Sequence, residues 1–150
     1  MKFFREIGSV CLLFFSLAGA VRADGSAFAG QWRQLTSTAG RCDQCYIGIV
    51  KHGDLLTVTS NTGWQAVVNA EDFSDLELAA GAGQWKSTVS GVYGGKHFGI
   101  QFVRRGRQLQ MFMVVSQAAG RPLSIRATFE RGLPAMNRRP QPAPIEMQRI

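Results

Sequence analysis

Three stretches in the second half of the chain alternate apolar and polar side chains. Phe98, Ile100 and Phe102 share one face, and so do Leu109, Met111, Met113 and Val115. Leu123, Ile125, Ala127 and Phe129 alternate with Ser124, Arg126, Thr128 and Glu130. A period of two marks a strand with one buried face. Residues 46–50, 55–59 and 64–68 carry weaker versions of the pattern. Residues 71–80 fit either a short helix capped by Gly81 or a strand carrying Leu76 and Leu78. No long segment has helical periodicity. The pattern predicts an all-β domain, a small antiparallel meander of about eight strands joined by short turns. Such a meander closes as a barrel or folds as a two-layer sandwich, and both architectures show the same alternation.

The chain also repeats itself. Ala29-Gly30-Gln31-Trp32 recurs as Ala82-Gly83-Gln84-Trp85, an offset of 53 residues. The same offset places Ile47 on Ile100, Val50 on Val103, Gly53 on Gly106 and Leu56 on Leu109. Gly53 and Gly106 each interrupt two apolar runs, which is a hairpin signal. Two related halves are expected, each a strand followed by a hairpin, with Trp32 and Trp85 opening them.

A Gly-x-Trp opening the first strand of a small exported β-protein resembles the lipocalin and avidin-type barrels. Here it is Gly30-Gln31-Trp32, echoed at Gly83-Gln84-Trp85. The resemblance implies a tryptophan packed across the barrel floor against a basic residue from a late strand. Arg126 and Arg131 are the candidates for that place. The chain is shorter than a usual lipocalin, and the second Gly-Gln-Trp is not part of the lipocalin pattern.

The two ends of the chain have different compositions. Lys2 and Arg5 precede an apolar run over 7–17, and Val21 and Ala23 stand at the −3 and −1 places before Asp24. Those three parts make a cleavable secretory signal over 1–23, and the run is too short to span a bilayer comfortably. A barrel or sandwich domain is expected over 24–132. Residues 133–150 hold Pro134, Pro140, Pro142 and Pro144 with Arg138, Arg139 and Arg149, the composition of a flexible, extended tail. The protein is expected in the periplasm or outside the cell.

Charge is distributed unevenly within a net +7. Residues 24–82 hold three basic and seven acidic groups, whereas 83–150 hold eleven basic and two acidic. That field draws anions to one side of the molecule. An exported protein seldom meets nucleic acid, so the expected partners are an anionic envelope ligand or an acidic protein, with peripheral membrane contact as a further outlet for the charge.

Cys42-Asp43-Gln44-Cys45 is the sharpest local motif. Haem attachment requires a histidine where Tyr46 stands. A thiol-redox pair sits at a helix start, but an apolar strand follows here. Zinc needs four ligands, and only His52 and His97 are available to join Cys42 and Cys45. A disulfide tightening the turn before a strand is the expected role, given two cysteines after the signal in an oxidising compartment. Gly94-Gly95-Lys96-His97 lacks the spacing of a phosphate loop and reads as a turn. Met111 and Met113 read as core packing, and the Glu71, Asp72, Asp75 and Glu77 cluster as a solvated surface.

No nucleophile elbow or metalloprotease helix appears in the sequence. The leading expectation is an exported, non-enzymatic binding module for a small or anionic ligand, without a cofactor. Trp32, Trp85 and Tyr93 are the aromatic ligand-binding candidates, and Arg104, Arg105 and Arg107 the charged ones. The alternative is an envelope interaction or inhibitor protein working through its basic second half. A metal or redox protein built on Cys42 and Cys45 is the third reading.

Overall fold

The computed structural model describes residues 25–73 and 76–132. The secretory segment over 1–23 and the tail over 133–150 lie outside the described residues. Eight strands follow one another along the chain: β1 Gly30–Ser37, β2 Tyr46–His52, β3 Leu55–Ser60, β4 Trp64–Phe73, β5 Leu76–Trp85, β6 His97–Arg105, β7 Gln108–Val115 and β8 Leu123–Arg131. Each pairs antiparallel with its neighbour, and β8 pairs back onto β1, so the sheet closes as a barrel. Closure leaves no free edge to recruit another chain. The barrel is therefore the correct one of the two architectures that the alternation allowed.

Alternation decides what fills the interior. Along β7, Leu109, Met111, Met113 and Val115 are buried while Gln108, Gln110, Phe112 and Val114 are exposed. A one-residue slip would turn all eight side chains to the wrong face, so the apolar set fixes the pairing. Trp32, Ile47, Leu56, Val58, Phe102 and Phe129 come from five different strands and meet in one core.

The half-chain repeat survives in the two central hairpins. His52 pairs Leu55 and Lys51 pairs Leu56; 53 residues on, Arg105 pairs Gln108 and Arg104 pairs Leu109. Both turns are two residues long and begin with a glycine at left-handed φ, 61° at Gly53 and 58° at Gly106. Two-residue hairpin loops of the favoured primed types need positive φ at that position, and glycine adopts it without a Cβ penalty.

The two Gly-Gln-Trp segments do not superpose. Trp32 lies near the start of β1, but Trp85 is the last residue of β5. Since β1 and β5 run the same way, the two tryptophans stand at opposite ends of the barrel. The expectation that Trp85 opens a strand is corrected by β5 itself. Its sequence, Leu76-Glu77-Leu78-Ala79-Ala80-Gly81-Ala82-Gly83-Gln84-Trp85, is poor in strand formers, and ladders with β4 and β6 on both sides hold it extended. The same ladders decide residues 76–80 in favour of strand.

The glycines of the two segments also do different work. Gly30 has φ 129°, and a Cβ there would lie 2.8 Å from Nη1 of Arg131. At Gly83 a Cβ would run into the Gln65 carbonyl and the Phe98 ring.

Candidate functional site

Alternating strand directions give the barrel two unlike ends. One end carries the short hairpins at 53–54 and 106–107 and the chain segment 25–29. The other carries the longer connections 38–45, 86–96 and 116–122, together with the tight 61–63 turn.

The first end is closed. Trp32 is fully buried, and its indole Nε1 donates to the Phe28 carbonyl at 2.8 Å. Arg131, directly paired with Trp32 across the β1–β8 seam, lays its guanidinium 4.3 Å from the ring centroid. Its Nη1 and Nη2 donate to the carbonyls of Ala29 at 2.8 Å and Ala27 at 2.6 Å. A planar guanidinium can stack on a ring and bond two carbonyls at once, which a lysine cannot do. Beside it Arg33 and Glu130, the next pair along the seam, form an ion pair. Of the two arginines considered for the floor, Arg131 occupies it. Arg126 faces outward, 4.5 Å from the Phe112 ring centroid.

The second end is hollow. A cavity of about 230 Å³ lies under its loops. Met111, Met113, Ile125 and Phe129 line it from the barrel interior, and Trp64, Trp85 and Tyr93 supply aromatic walls. Residues 39–42 with Cys45 and Tyr46 line it from the β1–β2 connection. The β4–β5 hairpin sets Trp64 directly opposite Trp85, with ring centroids 6.4 Å apart. Tyr93, in a one-turn 3₁₀ helix over Gly91–Tyr93, stacks on Trp85 at 5.0 Å with ring planes 21° apart. Phe98 meets both tryptophans edge to face. Offset and edge-on ring pairs of this kind hold one another in place.

The connection over the cavity is tied down locally. Cys42 and Cys45 lie at disulfide distance, with Cα atoms 5.4 Å apart. Asn61 bridges from the 61–63 turn: its side-chain nitrogen donates to the Gln44 carbonyl at 2.9 Å, and its side-chain oxygen accepts from the Tyr46 N–H at 2.9 Å. Among the described residues, Arg41 is the one charged residue lining the cavity; it is largely exposed and pairs with Asp43 at 3.1 Å. Ser60 is buried beside the cavity with its hydroxyl engaged by the Thr62 N–H at 3.1 Å and the Thr62 hydroxyl at 2.7 Å.

The candidates read from the sequence therefore separate. Trp85 and Tyr93 line the cavity. Trp32 belongs to the closed floor. Arg104, Arg105 and Arg107 sit on the 106–107 hairpin at the closed end, where Arg104 pairs with Glu77 and donates to the Gly106 carbonyl at 2.6 Å. Arg105 and Arg107 are exposed. His52 stands at the closed end and His97 at the open end, so they do not join Cys42 and Cys45 in one cluster. Among the described residues no group of three His, Cys, Asp or Glu gathers as a metal site.

Sequence reasoning missed Trp64 and Ser60. Trp64 had a signal, since it begins the alternation Trp64, Ala66, Val68 that the structure buries. Met111 and Met113 are core residues as expected, and they also line the cavity. Strand periodicity identifies the inner face but carries no information about height along the barrel axis.

Fold and site together define a closed eight-stranded barrel with a cavity of about 230 Å³ at one end. No protein-family model, curated protein or solved structure matches the chain.

Proposed function

We propose that this chain is an exported, non-enzymatic binding protein of lipocalin-like design that holds a small, largely apolar ligand in the open end of its barrel. The cavity carries the reading. Its walls combine apolar and aromatic side chains with a few polar groups, the composition of small-molecule sites. At about 230 Å³ it is smaller than a drug-sized pocket. A protein cavity of about 150 Å³ accepts benzene, so the space here suits one ring with a short substituent. The Gly30-Gln31-Trp32 floor with Arg131 across it supports the lipocalin-like comparison, and the segment over 1–23 supports export.

Fluorobenzene is a suitable first probe. In ¹⁹F NMR its resonance should shift and saturate at one equivalent of protein. Absence of saturable binding sinks the ligand-carrier reading. Export is tested separately by fusing residues 1–23 to a reporter that is active only outside the cytoplasm; an inactive fusion removes that part.

A second reading rests on Arg105 and Arg107, exposed together on the 106–107 hairpin and remote from the cavity. They offer an acidic protein a docking point. Reversing both charges should abolish any partner captured at low salt, and a capture unaffected by the reversal refutes this reading.

A further inference from the structure

We propose that the open end of the barrel docks on anionic lipid membranes, its basic rim against the headgroup phosphates and Val92 against the apolar layer beneath them. The proposal goes beyond the carrier reading, and either can fail without the other.

Charge is sorted along the barrel axis and not only between the halves of the chain. Each longer connection of the open end carries a cation: Arg41 in 38–45, Lys86 and Lys96 in 86–96, and Arg121 in 116–122. Asp43, which pairs with Arg41, is the one carboxylate on those three connections. Among the described residues no carboxylate pairs with Lys86, Lys96 or Arg121. Lys86 and Arg121 are exposed, and Lys96 is half-buried. The closed half has cations too, but Asp54, Glu71, Glu77 and Glu130 stand among them, and Glu77 and Glu130 are ion-paired there. Cations without matching acids leave the open end attracted to a negatively charged surface.

The same connections present uncharged tips. Val92 is 59% exposed, the most exposed large apolar side chain among the described residues. Ala39 and Gly40 precede Arg41, and Ala118, Ala119 and Gly120 precede Arg121, all of them exposed. The Val92 tip is ordered before any contact. The Gly95 N–H donates to the Lys86 carbonyl at 3.2 Å and the Lys96 N–H to the Tyr93 carbonyl at 2.9 Å, while Tyr93 stacks on Trp85. Docking therefore loses little conformational freedom in this loop.

A membrane answers both features together. Its phosphates lie above an apolar layer, and protein surfaces that combine Lys and Arg with apolar side chains bind there. An acidic protein would match the charge but not the uncharged tips beside it. In the docked orientation the apolar cavity under these loops faces the lipid.

The full chain is tested on nanodiscs of phosphatidylcholine, with and without about one-third phosphatidylglycerol as the anionic lipid. A gadolinium chelate on a headgroup broadens amide resonances close to the membrane. With the anionic lipid, amides of 86–96 and 116–122 should broaden before those of the 53–54 and 106–107 hairpins. The affinity gained from phosphatidylglycerol should fall about fivefold for each lost cation, on the order of a hundredfold in Lys86→Gln/Lys96→Gln/Arg121→Gln. Val92→Ser should weaken binding severalfold. Broadening centred on the closed-end hairpins, no broadening, or an undiminished gain in the triple variant overturns the proposal. Saturable binding of soluble polyglutamate at the rim without nanodisc binding makes the partner an acidic polypeptide and overturns it too. If the triple variant does not fold, the wild-type broadening pattern decides alone. Failure of fluorobenzene to bind refutes the carrier reading and leaves this one standing.

Discussion

Arg131 makes a quantitative prediction about the closed end. Replacing it with methionine keeps an unbranched stem over Trp32 and removes the guanidinium. Lost with it are the bonds to the Ala29 and Ala27 carbonyls, at 2.8 and 2.6 Å, and the cation stacked 4.3 Å from the indole. Hydrogen bonds to a charged group contribute about 1.5–3 kcal/mol each, and partly exposed ones belong at the low end. The stacked cation adds about 0.5–1 kcal/mol. The three contacts share one group and are not additive, and water can reach the freed carbonyls in part. A net loss of about 2–3 kcal/mol follows. For a domain of this size that lowers Tm by about 10 °C. Thermal unfolding of the full chain, followed by near-ultraviolet circular dichroism, reads the change. Arg131→Lys should recover less than half of it, because one ammonium cannot stack on the ring and bond both carbonyls. Fluorobenzene binding should be unaltered in both variants, since the cavity lies at the other end. A Tm for Arg131→Met within about 2 °C of wild type would show that the floor is held by apolar packing and that the arginine is incidental.

Other substitutions test other parts of the barrel. Gly83→Ala pushes a methyl against the Gln65 carbonyl and the Phe98 ring and should cost about 1–3 kcal/mol in urea unfolding; a neutral result refutes the close approach of β4 to β5. Met113→Phe adds volume beside the cavity. It should abolish fluorobenzene binding while changing stability by less than about 1.5 kcal/mol, and retained affinity would place the ligand elsewhere. Replacing Cys42 and Cys45 together by serine removes a cross-link spanning three residues. Loop-closure entropy puts its contribution at about 2 kcal/mol at most, so unfolding should shift modestly while ligand exchange, read by NMR line shape, becomes faster. Unchanged exchange would separate that connection from access to the cavity.

Much of the barrel was legible because strand alternation is a local signal. The runs at 98–102, 109–115 and 123–129 needed no tertiary information, and the 53-residue offset correctly paired the two central hairpins. β5 was not legible, because its Ala and Gly residues express the nearness of β4 and Phe98 rather than any preference of their own. The Gly-Gln-Trp repeat misled for a related reason. Gly30 makes room for Arg131, Gly83 makes room for Phe98, and identical letters answer to different neighbours. The choice between Arg126 and Arg131 at the floor depended on where β8 ends. The cavity is a matter of height along the axis, and periodicity says only which residues face inward. Trp64 and Trp85 meet because a hairpin with two ten-residue arms sets their positions opposite each other.

The plugged floor makes the barrel a blind vessel. With Trp32, Phe28 and Arg131 filling one end, a molecule entering the cavity would, among the described residues, pass Tyr93 and the 39–42 segment on the way in and on the way out. Lifetime and affinity can then vary separately. On the carrier reading, the walls would set how firmly a guest is preferred, and the collar at the rim how long each visit lasts.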